Sequence, residues 1–248
     1  MRGIRHVTVG GVRAAVASRA ELTAYVVEDC LKRRGSDGPA RLLFDTNGHA
    51  ISLAARDADY ARALDAADVI HADGGWILPA SRLLTSGAVP ERSATTDLIH
   101  DIASAGTPHG LRHYLLGCSE EVNAACAARL AELHPGMVIC GRHHGYFDDE
   151  AAVVKAVRAA APDVVWIGLG KPREQLFAVR NRERLGAFWA ITCGGCFNYV
   201  TGHYARAPKW MQRAHLEWLF RAGTDPKLLW RYATTSPHAL WLALVRSR

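Results

Sequence analysis

From about residue 40 to residue 194, short apolar runs of strand length take turns with segments of helical pattern. The run RLLF precedes HAISLAARDA, DVIHA (68–72) precedes GWILPASRLL, and HYLLG (113–117) precedes EEVNAACAARLAEL. MVICG (137–141), EAAVVKAVRAAA, DVVWIGLG (163–170), PREQLFAVRNRERL and FWAITCG (188–194) carry the alternation on. Apolar strands separated one by one by helices predict a mostly parallel sheet covered on both faces, a Rossmann-like α/β fold. Working residues in such a sheet gather in the loops beyond the carboxyl ends of the strands. Three of those loops are chemically loaded: Asp45-Thr46-Asn47-Gly48, Asp73-Gly74-Gly75 and Gly168-Leu169-Gly170-Lys171-Pro172.

Composition changes after about residue 203. Between Arg206 and Arg248 stand eight Lys or Arg (206, 209, 213, 221, 227, 231, 246, 248) against Glu217 and Asp225, so 8 − 2 = +6, the whole net charge of the chain. Trp210, Trp218, Trp230 and Trp241, four of seven tryptophans, lie there too. Pro208, Pro226 and Pro237 are expected to divide this stretch into short helices. The expected organisation is an α/β catalytic domain over 1–203 and a small, basic, Trp-rich helical appendage over 204–248 that associates with membrane and can be removed without unfolding the α/β core.

An apolar fraction of 49% with 22% charged residues excludes a disordered chain. The N-terminal MRGIRHVTVGGVRAAVA lacks the apolar core of an export signal, and no run approaches the ~18–20 apolar residues of a membrane span. The six cysteines sit in apolar runs, which points to a reducing compartment, and Cys193-Gly-Gly-Cys196 reads as two buried small residues. The twelve histidines form no HExxH or comparable ligand set, so structural or surface roles are expected for them.

Asp73 ends an apolar strand and precedes two glycines, a place that suits a base approaching a bulky substrate. A carboxylate there equally caps a helix beginning near Trp76, and both readings stand at this point. GLGKPRE joins a strand to a helix whose free amides would attract phosphate, or is a plain helix start with proline in its first turn. Neither GxxxxGKS/T nor GxGxxG is present. Arg92 and the tail arginines are candidates to grip a diphosphate in two-pronged fashion, or are solvated charges.

Taken in order through roughly residues 40–235, DTNGHAISLA, ADVIHADGGWILPASRLL, PERSATTDL, LLGCSEEV, HPGMVICGRHHGYF, VVWIGLGKPREQ and RAPKWMQRAHLEWLFR…DPKLLWRY resemble the WecG/TagA/CpsF family of bacterial glycosyltransferases. The resemblance implies transfer from a UDP-sugar, commonly of the N-acetylmannosamine type, to an undecaprenyl-diphosphate-linked sugar with inversion at the anomeric carbon. It implies that Asp73 is the base and that Arg221 and Arg231 are catalytic. Substrate binding falls to Thr46, Asn47, Gly74, Arg92, Asp97, Gly170, Pro172, Glu174, Gln175 and Arg206. Several positions depart from the family pattern. Glu174 and Gln175 exchange the usual Gln-Glu order, Leu228 stands for an arginine, Thr95 for a glycine, Asn198 for an aspartate, and Asp45 for a threonine.

A nucleotide diphosphate is already a good leaving group, so one base suffices where a glycosidase needs two carboxylates. No DxD motif follows a strand, which favours fixed arginines over a metal, and neither cofactor nor metal is expected. The expected partners are a UDP-sugar, a polyprenyl-diphosphate-linked acceptor and an anionic membrane, not nucleic acid, and the expected location is peripheral, at the cytoplasmic face of the bacterial membrane. The rival readings are another nucleotide-binding α/β enzyme, such as a dehydrogenase, and a basic nucleic-acid-binding module.

Overall fold

The computed structural model describes residues 4–213, 217–224 and 226–248, without the side chains of 212, 213, 224, 226 and 227. Of the tail residues counted above, Asp225 therefore lies outside the described residues, as do the side chains of Arg213, Pro226 and Lys227.

The chain enters as an antiparallel hairpin of β1 (His6–Val9) and β2 (Val12–Ala15). Its turn residues Gly10 and Gly11 have φ of 61° and 86°, the conformation a two-residue turn of this hand requires. A Cβ at Gly10 would also stand 2.7 Å from Ile51 Cγ2. Helix α1 (Arg19–Arg33) begins with a capping box between Ser18 and Glu21. Next come β3 (Arg41–Thr46), α2 (Gly48–Ala54), α3 (Ala58–Asp65), β4 (Val69–Ala72), α4 (Ile77–Leu84) and α5 (Thr95–Gly106). The alternation continues through β5 (Arg112–Gly117), α6 (Glu120–Leu133), β6 (Val138–His143), α7 (Glu150–Ala159), β7 (Val164–Gly168), α8 (Arg173–Asn181), β8 (Trp189–Thr192) and α9 (Cys196–Val200). Asn47, Asp57, Ser119 and Asp149 each start a helix by accepting the amide three residues ahead.

Strands β3 to β8 form one six-stranded parallel sheet in the order β4-β3-β8-β7-β5-β6. Both faces are covered, as the unbroken apolar strands require: Leu42 and Phe44 enter one core with Ile51 and Ile70, while Leu43 enters the other with Leu98 and Trp166. The Rossmann-like expectation is met. The connections leaving β5 and β7 run to opposite sides, the topological switch point of the sheet. There the strands touch so closely that a Cβ on Gly117, at φ 142°, would lie 2.3 Å from the Gly168 carbonyl oxygen.

The tail forms α10 (Lys209–Arg213), α11 (Glu217–Thr224) and α12 (Pro226–Arg246). Pro226 opens α12, but Pro237 does not divide it, contrary to expectation. Proline inside a helix forfeits one backbone bond, at a cost of about 3 kcal/mol. Burial of Ala239, Leu242 and Ala243 in the core beside α2 offsets that loss, and His238 Nδ1 lies 2.9 Å from Ser52 Oγ. Beyond α12, Arg248 exchanges both backbone hydrogen bonds with Thr8 (2.9 and 3.0 Å). The tail therefore packs on the core around Ile51 and pairs with the hairpin.

Candidate active site

The ends of β3 and β4 set the first half of the site. The Thr46 carbonyl accepts the amides of Asp73 (2.9 Å) and Gly74 (3.1 Å), locking the two strand-end loops together. Gly74 packs closely there: a Cβ would stand 3.0 Å from Asn47 Cα, so a larger residue would push the two loops apart. Asn47 caps α2 through Oδ1 (3.0 Å to Ala50 N) and donates from Nδ2 to Asp45 Oδ2 at 3.2 Å. Asp73 does not cap α4: Trp76 precedes that helix without any side-chain cap. Its carboxylate instead accepts the amide of Thr95, the first residue of α5, at 3.4 Å.

Arg92 wraps this aspartate. Nε donates to the Asp73 carbonyl at 2.6 Å, Nη2 stands 3.7 Å from Asp73 Oδ1, and Nη1 donates to Glu217 Oε2 at 2.5 Å. The second oxygen of Glu217 accepts from Arg221 Nη2 at 3.0 Å, and the Arg221 guanidinium lies 4.7 Å from the centre of the Tyr199 ring. Tail and body thus meet at Asp73. Burial would push its carboxyl up, but the charges of Arg92 and Arg221, with His71 and Lys171 behind them, outweigh it and hold Asp73 below the usual carboxylate range.

The β7 loop supplies a buried ion pair that the sequence reading did not assign. Lys171 Nζ reaches both oxygens of Asp45 (2.6 and 2.5 Å). Burial works against the ammonium, yet Asp45 above all keeps it charged and raises its pKa. Glu174, wholly buried, accepts the amides of Gly170 and Gly194 on one oxygen (3.0 Å each), so the amide of Gly170 is already engaged by the protein's own carboxylate. Burial pushes Glu174 up to about 7, against the pull of Lys171. Gln175 donates to Glu174 at 3.2 Å, and its Oε1 is buried without a hydrogen-bond partner.

Of the residues singled out above, Thr46, Asn47, Gly74, Asp73, Arg92 and Arg221 therefore converge, and Lys171 joins them through Asp45. Gly170 takes φ 76° at the mouth of the β7 loop, with no atom within 4 Å of where a Cβ would stand, and Pro172 immediately precedes α8. Glu174 and Gln175 lie behind that loop. Arg206 pairs with Asp97, which also meets Arg19 at 3.2 Å, so this pair sits along α5 and not on the Asp73 carboxylate. The charge of Arg231 reaches His49: burial first, then the charges of Arg231 and Lys171, lowers that imidazole to about 4. The signal for Lys171 was a cation embedded between a strand and Pro172, facing an aspartate where the family pattern has threonine. For Glu217 it was an acid set among the cations of a basic tail. Among the described residues no group of three or more His, Cys, Asp or Glu could hold a metal ion. Cys193 and Cys196 are buried and unbridged, as expected.

A model of the "Glycosyl transferase WecG/TagA/CpsF family" matches residues 7–248. The chain is 29% identical over 212 residues to a Bacillus subtilis (strain 168) protein named N-acetylglucosaminyldiphosphoundecaprenol N-acetyl-beta-D-mannosaminyltransferase, covering 85% of this chain and 80% of that one. Proteins of the same name from Bacillus spizizenii and Staphylococcus aureus (strain NCTC 8325 / PS 47) are 30% and 25% identical, covering 76% and 75% of this chain and 73% and 72% of theirs.

Proposed function

The chain belongs to the WecG/TagA/CpsF family of glycosyltransferases, and from that footing we propose that it moves an N-acetylmannosamine-type sugar from UDP to a polyprenyl-diphosphate-linked N-acetylglucosamine, the sugar and the acceptor being those in its relatives' names. The observation that carries the reading is the carboxylate of Asp73 at a strand end, beside Arg92 of the body and within reach of the charge of the tail's Arg221.

In the proposed reaction the acceptor hydroxyl oxygen attacks the anomeric carbon from the face opposite the diphosphate. The carbon–oxygen bond to the diphosphate breaks with its electron pair going to UDP, and the hydroxyl proton passes to Asp73. Arg92, Arg221 and Arg231 meet the negative charge growing on the departing diphosphate, a preorganised electrostatic contribution. In the unliganded protein the arginines depress Asp73 and make it a weak base. A bound diphosphate would compensate their charge, release Asp73 upward and strengthen the base as the donor arrives. Asn47, Gly74 and the Gly170 loop are proposed to shape the donor seat, with Thr46, Pro172, Glu174 and Gln175 behind it and Asp97 and Arg206 at its flank.

The 204–248 segment is proposed as the element that meets the membrane. No helix among the described residues is long and apolar enough to cross one. Yet Trp210, Trp218, Leu229, Trp230, Leu240, Trp241, Leu244 and Val245 are all exposed, Trp230 to 73%, in the same segment that carries the net positive charge. Indole rings favour the headgroup region and each cation near an anionic leaflet contributes about 1 kcal/mol, so the segment would hold the site against a substrate confined to the inner leaflet. A panel of UDP-sugars offered with a synthetic undecaprenyl-diphosphate-linked N-acetylglucosamine tests the reading. A product heavier by one N-acetylhexosamine supports it, and no transfer from any donor overturns it.

A further inference from the structure

Glu217 is a carboxylate with 6% of its side chain exposed, placed between two arginines of the site, Arg92 and Arg221. Its two oxygens do different work. Oε2 takes Arg92 Nη1 at 2.5 Å, and Oε1 takes Arg221 Nη2 at 3.0 Å. Arg92 comes from the loop ahead of α5, while Glu217 and Arg221 stand one helical turn apart on α11. Glu217 is therefore the side chain through which the tail is cross-linked to the body at Asp73. Two guanidinium groups brought to one carboxylate would repel each other, and a buried anion shared between them removes that repulsion while fixing the direction of each fork. Arg92 keeps Nε and Nη2 turned to Asp73, and Arg221 is steadied between Glu217 and the face of Tyr199.

We propose that Glu217 is a positioning residue for sugar transfer: without touching substrate, it aligns Arg92 and Arg221 on either side of Asp73, so that the tail's cation is delivered to the departing diphosphate. This rests on the reaction proposed above. The arrangement contrasts with a carboxylate that merely occupies the arginines until a diphosphate displaces it, and the two roles predict opposite changes in nucleotide affinity.

The test is a double-mutant cycle on the full chain, with turnover number and UDP affinity by calorimetry measured for Glu217→Gln, Glu217→Ala, Arg221→Ala and the Glu217→Ala/Arg221→Ala pair, each well below its melting temperature. Removing a preorganised charge partner of a transition state costs about 10²-fold in turnover, the loss expected of Arg221→Ala. Glu217→Ala is expected to lose about 10-fold or more, and the pair to lose less than the product of the two single losses, because Glu217 acts in part through Arg221 and in part through Arg92. Glu217→Gln, isosteric and still able to accept from one arginine, should fall between wild type and Glu217→Ala. UDP should bind each Glu217 variant no more tightly than wild type. Tighter UDP binding by the Glu217 variants, losses that simply multiply in the pair, or undiminished turnover in Glu217→Ala would each overturn the proposal. Absence of UDP binding and transfer in the wild type would instead remove the proposed reaction itself.

Discussion

Glu174 is the residue whose protonation the fold most plainly perturbs in the range of ordinary buffers. Its carboxyl sits near 7 instead of 4.5, chiefly through burial, so the native protein holds this proton more tightly than the unfolded chain does. Its contribution to stability is therefore full below about pH 4.5 and is lost as pH rises through about 7. Glu174→Gln keeps the acceptor for the Gly170 and Gly194 amides, and Gln175 can turn its unpartnered Oε1 toward the new amide. The substitution should stabilise the protein at pH 8.5 by at most about 3 kcal/mol and leave it nearly unchanged at pH 4.5. Urea unfolding at both pH values checks this; an identical difference at the two would show that Glu174 carries no perturbed proton. At this scale the sequence was legible where a residue type has few other uses. What it showed of Asp73 was its place, a carboxylate beside two glycines at a strand end, and the helix-cap alternative fell only when Trp76 proved to precede α4 without a side-chain cap. The Lys171–Asp45 and Arg92–Glu217 pairs were not legible as pairs: their members stood out singly, but each joins residues more than a hundred positions apart.

Among the elements, the parallel sheet was readable because its strands are buried on both faces and so appear as continuous apolar runs between amphipathic helices. The β1–β2 hairpin escaped notice although its Gly-Gly turn was visible, since four-residue strands give too short a pattern to stand out. Helix α12 was misjudged at Pro237, where tertiary burial overrides a local breaker. That burial has a measurable consequence. Leu242→Ala, in the shared core, should cost about 2–5 kcal/mol in urea unfolding, whereas Leu244→Ala, 64% exposed two residues away, should cost no more than about 0.5 kcal/mol. Equal small losses at both positions would mean that α12 is not part of the folded body in solution.

For the molecule as a whole, charge and exposed tryptophan fall in one segment, and the same segment brings Arg221 to Asp73. Replacing Trp210, Trp230 and Trp241 together with alanine should weaken co-sedimentation with anionic vesicles at least about tenfold, the equivalent of 1.4 kcal/mol, while UDP binding stays intact. Undiminished sedimentation of that triple variant would place the membrane contact elsewhere. The proposed chemistry meets its most direct trial in single-turnover transfer from the UDP-sugar to the polyprenyl-diphosphate-linked acceptor, followed by mass and performed in a metal chelator, for wild type and Asp73→Asn side by side. Wild type should add one N-acetylhexosamine despite the chelator, and Asp73→Asn should bind UDP normally but transfer about 10²–10⁴-fold more slowly, the contribution of a general base. Transfer by Asp73→Asn at the wild-type rate, or by wild type only after Mn²⁺ or Mg²⁺ is restored, would contradict a reaction run by one aspartate and fixed arginines.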